Sequence, residues 1–146
     1  MIEHSYELST EECRELLVSD SVGRVAFGTP VGPRIVPVNY LVRGRVIEFR
    51  TTPYSELATY APGAEISFEV DHLDREHRRG WSVVAHGQCV RESASELATR
   101  DEDEMTQPWS GGHRALLLTL PWRELTGRRV GDRWPHPVVS RAATSP

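Results

Sequence analysis

The chain has 146 residues, enough for one compact domain with a true core and too few for two. Hydrophobic residues make up 38% and charged residues 26%, the balance of a globular protein rather than a disordered one. With 17 basic against 21 acidic residues the net charge is −4 and no basic stripe occurs, which argues against a nucleic-acid partner.

The opening segment, Met1 to Tyr6, is polar and carries Glu3, so it does not read as a secretory leader. No apolar run approaches membrane-spanning length, and a cytoplasmic protein is expected. Ser9-Thr10-Glu11-Glu12 forms a capping box, and Cys13, Leu16 and Leu17 follow at i, i+3 and i+4. That spacing predicts a helix over about residues 10–19. Cys13 and Cys89, the only two cysteines, are read as free thiols packed inside a reduced protein.

After Ser21 the texture changes to short β-rich runs divided by Gly and Pro. Runs starting at Gly23, Arg34 and Arg45 read as strands, joined through Pro30–Pro33 and through a tight Arg43-Gly44 turn. Pro37 lacks a ladder donor, so its strand should be open or bulged there. Thr52 and Pro53 are expected to cap and start a short helix that Ala61-Pro62-Gly63 stops. Next comes the cleanest strand, with Ile66, Phe68 and Val70 on one face and Ser67, Glu69 and Asp71 on the other. A polar connection from His72 to Gly80 leads to a long strand from Trp81 to Glu92. A second capping box at Ser93 opens a short acidic helix to about Asp103, and a loop around Trp109 to Gly112 precedes the last strand, Ala115 to Val130. Residues 1–133 make a single domain, and 134–146 a loose tail. The expected fold is mainly β: a six-stranded antiparallel barrel with short peripheral helices.

The residues with most chemical content run from Phe49 to Leu57. Arg50, Thr51, Thr52 and Ser55 stand where a strand passes into a helix, a place suited to an anion, and Arg50 adds a planar fork that fits phosphate. The plain alternative is a capped helix beside a solvated arginine. Four tryptophans, at 81, 109, 122 and 134, are many for this length; each serves either as core or as a stacking surface. The histidines are scattered and no Cys-x-x-Cys pair exists, so no metal site is expected. Nor is there a GxSxG, HExxH, P-loop or GxGxxG. Without an organised acid–base or nucleophile set, any chemistry is expected to come from a bound cofactor.

The order of short motifs is itself informative. GRVAF from Gly23, PVNY from Pro37, FRT from Phe49, FEVD from Phe68, GWSVV from Gly80 and TGRRV from Thr126 together resemble the actinobacterial branch of the pyridoxamine 5′-phosphate oxidase-related, FMN-binding family, over about residues 7–133. The resemblance implies a split β-barrel homodimer with FMN at the subunit interface. It places Arg34, Val36, Pro37, Val38 and Asn39 along the flavin and its phosphate arm. It sets Arg50 and Thr51 on the phosphate, Ser55 in the phosphate turn, and Trp81 and Ser82, from the partner subunit, near the ring. The family turn usually reads Gly-Ser-Lys, whereas this chain has Tyr54-Ser55-Glu56, a carboxylate in place of the cation. Asn39 stands where some members carry lysine. These departures leave open weak flavin binding or a pocket adapted to another ligand.

Two cofactor-bound functions and one without a cofactor follow from this reading. One is an oxidoreductase whose FMN passes electrons from a reduced nicotinamide to a small acceptor. The other is a non-enzymatic module for flavin, deazaflavin or haem, with His86 or His113 as the only axial donors haem would have. A third, a cofactor-free barrel kept for a protein partner, gains from Glu56.

Overall fold

A computed structural model describes residues 5–93 and 116–131. The expected second capping box and acidic helix, the Trp109 loop, His113, Trp134 and the tail lie outside the described residues.

The helix α1 runs Thr10–Val18 behind the predicted capping box. Ser9 Oγ accepts from Glu12 N at 3.1 Å, and Ser9 N donates to Glu12 Oε1 at 3.3 Å. Cys13 and Leu17 are fully buried and Leu16 packs beside them, so the expected stripe is the face that covers the barrel.

Six long strands form the barrel wall: β2 (Val22–Thr29), β3 (Gly32–Arg43), β4 (Val46–Thr51), β5 (Glu65–Asp74), β6 (Arg79–Gln88) and β8 (Leu116–Val130). Two short ones are added at the edges, β1 (Ser5–Glu7) and β7 (Val90–Arg91), both paired with β8. The wall closes because two strands each divide their length between two neighbours. Strand β8 pairs with β4 through Leu116–Pro121 and with β6 through Trp122–Val130. Similarly, β3 pairs with β2 through Gly32–Asn39 and with β4 only from Tyr40 to Arg43. All these pairings are antiparallel, as predicted, and the sheet divides where β3 and β8 change partner. A β-bulge at His86/Gly87 marks the same division on β6, and a Cβ on Gly87 would stand 2.5 Å from Pro121 O.

The interior follows from alternation. Val25, Val38, Phe49, Phe68, Val83 and Leu118 point inward and are buried. Tyr40 is buried with them, its ring edge-on to Phe68 at 4.7 Å, and its hydroxyl donates to Leu17 O under α1. Burial pushes the Tyr40 phenol well above its ordinary pKa, so it stays protonated as that donor. Both cysteines are buried free thiols, Cys89 pushed up to about 12 by desolvation.

Several boundaries differ from the sequence reading. The polar connection expected over His72–Gly80 is mostly strand: β5 continues to Asp74, β6 starts at Arg79, and the turn is only residues 75–78. Asp74 accepts from His77 N at 3.1 Å and from Arg79 Nε at 3.0 Å, which fixes that hairpin. The long strand from Trp81 breaks at Cys89, whose N–H and C=O bond Ala64 and Gly63 instead. At Pro37 the strand is open, not bulged. Tyr40 N–H bonds Ser21 O, so by alternation the odd-numbered residues of β3 direct their backbone groups away from β2. Pro33 and Pro37 occupy two of those outward positions, where β3 has no second neighbour among the described residues.

Candidate functional site

The predicted phosphate segment lies where β4 ends and α2 (Glu56–Tyr60) begins. The helix starts later than expected: its cap is Ser55, not Thr52, and Pro53 sits in the preceding turn. The reason is local. Ser55 Oγ reaches Ala58 N at 3.1 Å, while Ser55 N closes the turn back to Thr52 O at 3.2 Å. With five residues, α2 is too short for its dipole to carry an anion site.

The two hydroxyls here are already engaged. Ser55 Oγ donates to Thr52 O at 3.0 Å, so across the 2.7 Å Thr51–Ser55 contact the donor is Thr51. Thr51 is buried on the core-facing side of β4. Arg50, one residue earlier, points to the opposite side, where Glu48 also lies. The structure therefore joins Thr51 with Ser55 and places Arg50 on the other face of the same strand.

Three arginines in this region differ in how their charge is met. Arg34 Nε stands 3.6 Å from Glu56 Oε2 in a half-exposed pair. The residue that breaks the family pattern is thus the counter-ion of a residue expected along the phosphate arm. Arg43 Nε bonds Glu48 Oε2 at 3.1 Å, and the Glu48 side chain is only 6% exposed. Arg50 Nη2 is sealed from solvent with no hydrogen-bond acceptor among the described residues. Desolvation lowers the Arg50 pKa, opposed in part by Glu48.

The other expected residues spread over two faces of β3 and β6. Arg34, Val36 and Val38 share the inner side, with Val38 in the core; Pro37 and Asn39 face outward. Trp81 packs against the core margin, stacked on His72 with centroids 6.4 Å apart at 29°. Ser82 points the opposite way, paired across strands with Asp71 and Arg128.

Three features escaped the sequence reading. Glu48, which the sequence reading did not single out, is buried. Arg129 Nε is a second sealed donor with no acceptor among the described residues. On the outer face, Ser67 Oγ contacts His86 Nδ1 at 2.9 Å and Glu65 Oε2 lies 3.3 Å from His86 Nε2. Both ring nitrogens of His86 therefore have a polar neighbour. Among the described residues no cluster of His, Cys, Asp and Glu is arranged for a metal ion. No helix among them is long and apolar enough to cross a membrane.

Comparison with known proteins agrees with this architecture. Residues 9–129 match the family described as pyridoxamine 5′-phosphate oxidase. The uncharacterized protein Rv0080 of Mycobacterium tuberculosis is 34% identical over 129 residues, covering 85% of this chain and 84% of its own length. A putative pyridoxamine 5′-phosphate oxidase from Corynebacterium glutamicum superposes with a TM-score of 0.73 at 26% identity, over 90% of this chain and 96% of that one. The FAD binding protein from Mycobacterium smegmatis superposes at 0.66 with 28% identity, over 86% of this chain and 97% of that one.

Proposed function

Since the chain belongs to the pyridoxamine 5′-phosphate oxidase family, we propose that it is a cytoplasmic, homodimeric flavin-nucleotide protein in which FMN carries electrons from a reduced nicotinamide to a small acceptor. The observation that carries the cofactor reading is Arg50 Nη2. A buried donor without an acceptor costs about 1–3 kcal/mol, and a phosphate oxygen would satisfy it with a charge-assisted bond. The residues present therefore fit an anionic cofactor arm. The flavin binding of the M. smegmatis neighbour supports the same reading.

In this proposal Arg50 holds the phosphate, while Thr51 and Ser55 fix the backbone of the turn beside it. Arg34 is a second cation for the arm, released from Glu56 when the nucleotide enters. The backbone of Val36, Pro37, Val38 and Asn39 lines the approach, and Trp81, with the backbone of Ser82, meets the ring from the partner subunit. The bound flavin supplies the redox chemistry; the chain supplies position, shielding and donors. The homodimer gains support from exposed apolar residues beside the open edge of β3, Val31 at 77% and Ile35 at 68% exposure.

The test is the absorption spectrum of the purified protein, followed by titration with FMN and riboflavin. Twin visible bands and tighter binding of FMN are expected; a Soret band, or no affinity for either flavin, would overturn the proposal. Sedimentation should give a dimer, and a monomer that keeps its flavin would remove the shared pocket.

The Arg34–Glu56 pair makes a second expectation specific. Glu56→Lys frees Arg34 and replaces a competing carboxylate with a cation at a half-exposed position. Such near-surface terms are on the order of 1 kcal/mol, so FMN should bind roughly ten-fold tighter. Riboflavin should respond little, and the gain should shrink with salt. An unchanged FMN constant at low salt would mean that Glu56 never competes for Arg34.

A further inference from the structure

One end of the barrel carries a row that the phosphate segment does not use. Strand pairing aligns His72 on β5 with Trp81 on β6, Trp81 with Arg129 on β8, and Arg129 with Tyr6 on β1. Directly paired residues put their Cβ atoms about 4.5–5.5 Å apart on one face, so the four side chains form a continuous band. Two contacts confirm it: the His72–Trp81 stack, and the Arg129 guanidinium 5.2 Å from the Tyr6 ring centroid. The band lies just beyond Val70, Val83 and Gly127, the preceding inward positions on three of these strands. It is therefore at the rim of the interior rather than within it. Trp81 and Arg129 are half-buried, while His72 and Tyr6 are exposed.

Arg129 is the anomaly in this row. The Tyr6 ring meets the guanidinium, but Nε–H is buried and finds no hydrogen-bond acceptor among the described residues. An unmet buried donor is destabilising. A guest that satisfies this band must be flat enough to lie along aromatic rings. It must also present an electron-rich acceptor edge to the guanidinium. A planar heterocycle with ring nitrogen and carbonyl acceptors meets both demands.

We propose that Arg129, seated against Tyr6 beside Trp81, donates Nε–H to the acceptor edge of the flavin's pyrimidine ring and tunes its affinity and potential. This rests on the flavin reading above and assigns the ring contact to a different residue from the phosphate contact. A hydride taken from a dihydronicotinamide brings two electrons and one proton, so the ring gains one negative charge and the donor becomes a nicotinamide cation. A fixed guanidinium at the ring's acceptor edge favours that gain of charge.

The test uses the flavin-loaded protein and two variants. Arg129→Gln removes the charge; Arg129→Lys keeps the charge without the planar Nε donor. Arg129→Gln should shift the midpoint potential of bound FMN to more negative values. It should also weaken FMN and riboflavin by the same factor, roughly ten-fold, because the contact is to the ring and not the phosphate. Arg129→Lys should restore most of the potential while riboflavin stays several-fold weaker, and it carries the test if Arg129→Gln does not fold. Unchanged riboflavin affinity and potential in the variants, with flavin bound by the wild type, would overturn this inference alone. A wild-type protein that binds neither flavin overturns the flavin reading and this inference with it.

Discussion

Arg50→Ala should weaken FMN binding by about a hundred-fold and leave riboflavin binding nearly unchanged. The magnitude follows from a hydrogen bond to a charged group, about 1.5–3 kcal/mol, where each 1.4 kcal/mol is ten-fold in affinity. The free protein should behave differently. There, Arg50 Nη2 is a buried donor without an acceptor, and deleting it removes an unmet group along with some packing of the side-chain stem. Thermal stability without ligand should therefore change little, while the FMN-induced rise in melting temperature largely disappears. A purely structural arginine would give the reverse pattern: lower stability of the free protein and an unchanged FMN constant. That pattern in melting scans and fluorescence titration would remove Arg50 from the site. Arg50→Lys should fall between, because lysine keeps the charge but cannot present a planar fork.

A larger effect on the scaffold is expected at Phe68. Its side chain is fully buried, meets the Tyr40 ring edge-on at 4.7 Å, and lies so close over Gly23 that a Cβ there would collide with it. Phe68→Ala leaves a cavity bounded by paired β2 and β5, which cannot collapse without breaking their ladder. Such deletions cost about 3–5 kcal/mol, a large part of the 5–15 kcal/mol that holds a domain of this kind together. The melting temperature should fall by roughly 10 °C or more, read by circular dichroism. A fall of only one or two degrees would show that β2 and β5 close over the gap. The Phe68–Gly23 contact also joins GRVAF to FEVD: the glycine of one makes room for the phenylalanine of the other.

The barrel was legible because its signals are local. Ile66, Phe68 and Val70 alternate with polar partners, and Ser9 with Glu12 announces α1, so period and cap chemistry are enough to find these elements. Boundaries set by pairing were less visible. His72, Asp74 and Arg79 look like loop residues because they are polar, yet they lie past the core, where the backbone can stay paired without apolar side chains. The α2 start was misplaced because Thr52 and Ser55 are both competent caps, and only the turn closed by Ser55 N decides between them. For the site, sequence indicated Arg50 and Trp81 as individuals. It could not show that Glu56 neutralises Arg34, that Glu48 is buried on Arg43, or that Arg129 stands between Tyr6 and Trp81. Each of those facts depends on register between segments distant in the chain.

The open stretch of β3 has a consequence for how the protein behaves in a crowded cell. An uncovered strand edge is a template on which another chain can extend the sheet, and among the described residues β3 has no second partner strand along Gly32–Val38, a stretch bordered by exposed Val31 and Ile35. Pro33 and Pro37 fall on the outward-facing positions, four residues apart, so the donor row is interrupted twice where a foreign strand would have to bond. The edge remains usable by a partner that brings matching side chains, and is a poor seed for indiscriminate sheet growth. Two residues that look like flaws in a strand thus act as a guard against aggregation.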